Sequence, residues 1–154
     1  MKPAKSEVGA ASVVMNLEVQ VLPVSDVDRS KKFYQQLGWR LDEDVAPADK
    51  IRIVQFTPPG SGCSVNFGNG LTAAAPGTAT GGLIVSDIEA AHAELVRRGI
   101  GVSDIWHGAP FPPEARRPGP DPQRTSYGSF CAFGDPDGNA WLVQEVTTRR
   151  PGRM

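Results

Sequence analysis

Two stretches of the chain repeat each other at a fixed offset, and any fold must accommodate both copies. Val24-Ser25-Asp26-Val27-Asp28 matches Val85-Ser86-Asp87-Ile88-Glu89, and Gly38 matches Gly99, each pair 61 positions apart. In each copy a strand-like run enters a Ser-Asp pair able to cap a helix, and a glycine stops that helix at the same distance. One matched cap is common, whereas a matched start and stop together indicate internal duplication. Each half reads strand, helix, then three strands. The first half places strands at residues 17–24, 39–41, 51–57 and 63–67. They surround a helix whose Val27, Ser30, Phe33, Tyr34 and Leu37 share one face. The second places strands at residues 82–85, 101–107, 127–133 and 140–146 around a helix opening at Ile88. The sequence therefore predicts an α+β domain over residues 17–147 built from two tandem βαβββ modules. Module one spans residues 17–68 and module two residues 81–147, with a linker at 69–80, a disordered lead at 1–16 and a tail at 148–154.

The last hairpin has a clear mechanism. Asp135-Pro136-Asp137-Gly138-Asn139 joins two runs of strand-forming residues; Pro136 fixes φ and Gly138 supplies a positive φ. Past the turn, Leu142 and Gln144 alternate with Trp141 and Val143, so Trp141 is expected to face the helices and Leu142 the opposite side. The modules differ in one connection. Residues 42–49 read as a polar link in the first module, where the second has residues 108–126. That segment carries Pro110, Pro112, Pro113, Pro118, Pro120 and Pro122, together with Arg116, Arg117 and Arg124. A structureless connection beyond about 12–15 residues is uncommon unless it forms a lid or binding loop. It is read here as a lid that the fold does not require.

Charge narrows the partners. A formal net charge of -1 gives no electrostatic reason to expect nucleic acid or an anionic membrane. No apolar run approaches the ~20 residues of a membrane span. Cys63 and Cys131 are far apart and sit among apolar residues, where a thiol behaves as a small buried hydrophobe. A reducing cytoplasm is the expected compartment.

The phrase Leu22-Pro23-Val24-Ser25-Asp26-Val27-Asp28-Arg29-Ser30, then Phe33-Tyr34 and Leu37-Gly38-Trp39, resembles the vicinal oxygen chelate superfamily, as does Asp135-Pro136-Asp137-Gly138-Asn139. That group includes glyoxalase I, extradiol dioxygenases, fosfomycin-modifying enzymes and bleomycin-binding resistance proteins. The resemblance implies curled half-barrel sheets around a cavity, and a homodimer, since half-barrels leave edges to cover. It also implies metal ligands at four positions, which here are Val19, Asn66, Gly81 and Leu142. Val, Gly and Leu cannot bind a divalent cation, and a lone amide oxygen is a weak ligand. The expectation is a metal-free site with no cofactor.

Asn66 alternates with Val65 and Phe67, so its amide should point into the cavity, toward a ligand, a neighbouring strand or water. Gln55, rather than Arg52, is taken as the inward residue of its strand. Val19, Leu142, Gln144 and the loop residue Phe111 complete the expected ligand-binding set. His107 and Tyr127 flank the long loop and are candidates for acid/base chemistry. The favoured function is a small organic molecule held in the cavity, as in drug-binding resistance proteins. The alternative is a metal-independent isomerase or lyase using His107 or Tyr127, and a metal-dependent glyoxalase or dioxygenase ranks third.

Overall fold

The computed structural model describes residues 13–109 and 112–153; the lead over residues 1–12 and the candidate Phe111 lie outside the described residues. Module one runs β1 (Val19–Val21), α1 (Val27–Gln36), β2 (Arg40–Ala48), β3 (Ile51–Thr57) and β4 (Ser64–Asn69). Module two runs β5 (Thr80–Val85), α2 (Ile88–Arg97), β6 (Trp106–Gly108), β7 (Arg116–Pro118), β8 (Ser129–Gly134) and β9 (Ala140–Glu145). Sheet 1 has the order β1-β4-β3-β2 and sheet 2 the order β5-β9-β8-β6-β7, so the second repeats the first and adds β7 at its margin. The sheets are not closed into a barrel. In each, the first strand lies parallel to the last, and the other neighbours are antiparallel.

The duplication extends to individual hydrogen bonds. Asp26 accepts from the Arg29 amide at the start of α1, and Asp87 accepts from the Glu89 and Ala90 amides at the start of α2. Such caps satisfy otherwise orphaned N–H groups and stabilise by about 0.5–2 kcal/mol each. At the other ends Gly38 and Gly99 hold φ of 82° and 77°. The next amide then reaches back, Trp39 to the Tyr34 carbonyl and Ile100 to the Leu95 carbonyl, at 3.3 and 3.0 Å. A side chain at Gly38 would be strained by that φ and would also meet the Arg98 guanidinium 2.7 Å away.

Both sheets press one face onto a single shared core. Tyr34 packs on Trp39, Phe56 and Phe67 of module one, and Trp39 meets Trp141 of module two edge-on at 5.3 Å. Val54, Phe56, Val65 and Phe67 of sheet 1 join Cys131, Phe133, Trp141 and Val143 of sheet 2 in one cluster with α1 and α2 residues. Burial pushes the Cys131 thiol up to about 11, as expected of a buried cysteine. The inner faces share this core, and the opposite face of each sheet, called here its trough, lies outside it.

The turn of the last hairpin clamps the modules together. Asp135 accepts from its own turn amides, Asp137 and Asn139, and from the Tyr34 hydroxyl at 2.9 Å. Tyr34 in turn accepts from the Trp141 indole at 3.0 Å. Burial first, and Asp135 next, hold the Tyr34 phenol above its ordinary value. Asn139 donates to the Pro23 carbonyl and to Asp135, and accepts from the Ala79 amide. Asp137 accepts from Ser25, just ahead of α1. The two aspartates therefore do more than form a turn.

Three expectations are corrected. Residues 42–49 are not a connection: β2 runs through them as far as Ala48, because its charges find partners on β2 itself, on β3 and on α1. Asp44 pairs with Arg52 and Lys31, and Asp42 with Arg40 and Thr57. The strand expected at residues 101–107 shrinks to Trp106–Gly108. The segment at residues 108–126 is no free lid. Its described part holds a 3-10 turn, Pro113–Ala115, and then β7, paired with β6. Arg124 next anchors it, with its guanidinium on Glu145, Asp87 and Glu89. Glu145 is 1% exposed and also accepts from the Ile88 amide at 2.8 Å.

These carboxylates set an acid limit. The Thr57 and Arg40 hydrogen bonds lower Asp42, the Arg52 and Lys31 hydrogen bonds lower Asp44, and the Arg124 hydrogen bond lowers Glu145. A carboxylate depressed in the folded state contributes stability that is complete above its unfolded value and fades as pH falls through the folded one. Urea midpoints are therefore expected to hold between pH 7 and 5 and to fall below about pH 4. A midpoint that is flat or rising from pH 5 to 3 would contradict these ion pairs.

Candidate functional site

The trough of sheet 1 is polar. Register aligns Val21, Asn66, Gln55 and Glu43 in one row across β1, β4, β3 and β2, with Val19 beside Ser64 in the next. Thr57 and Ser64 share a hydrogen bond at 2.6 Å, and Thr57 donates to Asp42. Asn66 is half-buried, and its Oδ1 is buried with no donor among the described residues. An amide oxygen withdrawn from water and left unpaired costs about 1–3 kcal/mol. Of the three such side-chain atoms among the described residues, Asn66 Oδ1 and Trp106 Nε1 lie on the outer faces, and Ser30 Oγ lies on the inner side of α1.

The trough of sheet 2 is apolar and aromatic. Ile84, Gln144, Phe130 and Trp106 form one row across β5, β9, β8 and β6, and Gly82, Leu142 and Ala132 form the next. Leu142 and Gln144 are half-buried, and Gln144 donates its amide to the Tyr127 carbonyl at 2.9 Å. Trp141 and Val143 point the other way, into the core.

The candidate residues thus divide between the two troughs, with Val19, Gln55 and Asn66 on sheet 1 and Leu142 and Gln144 on sheet 2. Arg52 faces α1, where it pairs with Asp28 and Asp44. His107 aligns with Ser129 on the helix side of sheet 2, and its Nδ1 lies 2.9 Å from the Gly119 carbonyl oxygen. Tyr127 holds φ of 71°. Its hydroxyl accepts from the Arg150 amide at 3.1 Å, and the Arg150 guanidinium lies over its ring. The structure therefore keeps the His107 imidazole and the Tyr127 hydroxyl apart from the Asn66 amide, each with its own partner. Trp106 was absent from the sequence reading, although the alternation Ile105-Trp106-His107 carries the signal that it faces outward.

The four positions linked by resemblance to metal binding can be tested on their donors. Val19 and Asn66 face the sheet 1 trough and Leu142 the sheet 2 trough. Gly81 does not join them: it pairs with Trp141 on the inner face, where an added Cβ would sit 2.4 Å from the Trp141 ring. The outward residue beside Leu142 is Gly82, which equally offers no donor. One amide oxygen among Val, Gly and Leu does not fit a divalent cation. Among the described residues no cluster of three His, Cys, Asp or Glu is placed to hold a metal ion.

A family model described as the Glyoxalase/Bleomycin resistance protein/Dioxygenase superfamily matches residues 16–143. No curated protein sequence matches the chain. Among solved structures, the chain is 26% identical to TnmS3, an antibiotic binding protein from Streptomyces sp. CB03234, with a TM-score of 0.64 over 88% of this chain and 98% of that one. A glyoxalase/bleomycin resistance protein from the same Streptomyces is 27% identical, with a TM-score of 0.61 over 84% and 100% of the two chains. A superfamily member from Sphaerobacter thermophilus DSM 20745 is 26% identical, with a TM-score of 0.65 over 86% and 98%.

Proposed function

The chain belongs to the Glyoxalase/Bleomycin resistance protein/Dioxygenase superfamily, and from that premise we propose that it binds a small organic molecule in its troughs without a metal ion. The observation that carries this reading is the unpaired, buried Oδ1 of Asn66 beside Gln55 on the sheet 1 row. A ligand hydroxyl or N–H would satisfy it, while the Leu142, Phe130 and Ile84 surface of sheet 2 takes up apolar area. The likeness to an antibiotic binding protein supports an organic ligand of that general kind. Binding is favoured over acid/base turnover because the His107 imidazole and Tyr127 hydroxyl are engaged elsewhere.

Each outer face lies outside the core that the two sheets share, so enclosing a ligand between two such faces calls for a second copy. Apolar side chains are ready to be covered: Val21 is 38% exposed, Val45 43% and Ile84 48%. The proposed assembly is a homodimer in which the polar trough of one copy faces the aromatic trough of the other. Light scattering at micromolar concentration is expected to give twice the chain mass; a monomer at every concentration contradicts it.

Ligand binding is tested by titrating aromatic and glycopeptide antibiotics, starting with metal-free bleomycin, into protein dialysed against chelator. At least one is expected to bind saturably and to be recovered chemically unchanged. Leu142→Arg, which places a charge on the trough floor, is expected to weaken it at least about tenfold, or 1.4 kcal/mol, with little change in melting temperature. No saturable binding by any compound, or binding that ignores Leu142→Arg, overturns the reading.

A further inference from the structure

A cavity of about 310 Å³ opens on the seam between the modules, lined by inner-face residues of sheet 2. The buried Phe133, Val143 and Trp39 border it, as do the half-buried Leu83, Val85 and Leu95. Of the trough rows it meets only Ile84. The duplication shows what is missing here. Tyr34 fills the space between α1, sheet 1 and the last hairpin, fully buried and with its hydroxyl on Asp135. At the same offset of 61 positions stand Leu95 for Tyr34, Glu94 for Phe33 and Arg98 for Leu37. The turn that corresponds to the last hairpin is the β3–β4 connection, whose Pro58 and Pro59 border the cavity. Leucine is shorter than tyrosine and proline offers no carboxylate, so the seat that a side chain fills in module one stays open in module two. Arg98 stands at this opening and is held from both modules. Its Nε donates to Glu94 and its Nη1 to the Gln36 carbonyl at 3.4 Å, which leaves Nη2 with no acceptor among the described residues. Glu94 also pairs with Arg97, so two guanidiniums share one carboxylate and the rim carries a positive charge.

We propose that this cavity binds an alkyl carboxylate, an aliphatic chain ending in one anionic group. The chain takes the place of the side chain that module two lacks and covers the Leu83, Val85 and Leu95 surface, removing apolar area from water. The carboxylate stays at the rim, where Arg98 Nη2 donates to it in a charge-assisted bond. An ammonium head on the same chain would instead meet the excess of guanidinium charge and be repelled. The lining is mainly aliphatic, and its two rings are already engaged, Trp39 edge-on with Trp141 and Phe133 with Phe33. No parallel pair of rings forms a slot that would select a flat arene. The cavity is built wholly from one chain, so binding there needs no second copy.

The test is calorimetric titration of the full chain with octanoate, octylammonium and acetate. One octanoate per chain is expected, with octylammonium (the same chain, opposite head) and acetate (the head alone) at least about tenfold weaker. Leu95→Phe supplies the ring that module one carries at this place. It is expected to fill the cavity and weaken octanoate at least about tenfold, with the melting temperature kept or raised. Arg98→Gln is expected to weaken octanoate by a similar factor and to erase its advantage over octylammonium, a change of selectivity that loosened packing alone does not produce. Leu142→Arg is expected to leave octanoate unchanged, which separates the seam from the trough. The proposal is overturned if octanoate does not saturate by about 1 mM, or if octylammonium binds as well. It is equally overturned if folded Leu95→Phe binds octanoate like the parent, or if Leu142→Arg abolishes binding, since the ligand then sits in the trough. If Leu95→Phe does not fold, Arg98→Gln decides, and an unchanged octanoate affinity there overturns the proposal.

Discussion

Asn139→Ala is expected to destabilise the protein by about 3–5 kcal/mol, among the largest losses from a single turn position. The residue is 1% exposed and joins three otherwise separate groups. Its Nδ2 serves the Pro23 carbonyl and Asp135, and its Oδ1 takes the Ala79 amide. Truncation orphans the Ala79 amide at the junction of the modules, at about 1–3 kcal/mol, and takes one hydrogen bond each, at about 0.5–1.5 kcal/mol, from the Pro23 carbonyl and Asp135, which keep the Gly77 amide and the Tyr34 hydroxyl. For a domain of this size that is a fall in melting temperature of roughly 10 °C. Differential scanning calorimetry gives the answer, and a loss below about 1 kcal/mol would show that water replaces the amide freely.

The second large effect concerns the margin of sheet 2. Replacing residues 112–121 by a short Gly/Ser linker is expected to lower stability by roughly 2–4 kcal/mol, through several lost hydrogen bonds at about 0.5–1.5 kcal/mol each. The replacement removes β7, the Gly119 carbonyl beside His107, and the Gly119 amide bond to Ile105. It also removes the Asp121 amide that donates to Ser129, whose side chain is fully buried. The stable fold expected when the segment is read as a lid is thereby reversed. Urea denaturation with an unchanged midpoint would restore the lid reading.

The strand–helix–strand order is legible because each helix carries its start and stop in a few adjacent residues. Asp26 and Asp87 cap, Gly38 and Gly99 reverse, and these are local chemistry that needs no knowledge of the rest of the chain. Alternation likewise places Asn66 outward and Trp141 inward. The failures have physical causes. Asp42-Glu43-Asp44 reads as a connector because charges are depleted in strands, yet Arg40 pairs with Asp42 on the same strand, and Arg52 and Lys31 reach Asp44 from β3 and α1. β7 hides among prolines, which an edge strand tolerates because its outward amide needs no partner. Gly81-Gly82 has no side chains to correct the position implied by the resemblance, Gly81, which lies inward beside Trp141 while Gly82 lies outward beside Leu142. The clamp around Asn139 spans more than a hundred residues to Pro23, a pairing no local pattern reveals.

The central claim is that the troughs hold an organic ligand with no metal ion. Its most direct test is one titration performed twice, with the tightest-binding compound of the antibiotic series. The first uses protein dialysed against chelator, and the second the same protein given one equivalent of zinc or manganese. Equal affinity in both, with the compound recovered at unchanged mass, is the result expected from Val19, Asn66, Gly82 and Leu142. Binding that appears only with the metal, or a compound recovered chemically altered, would contradict it.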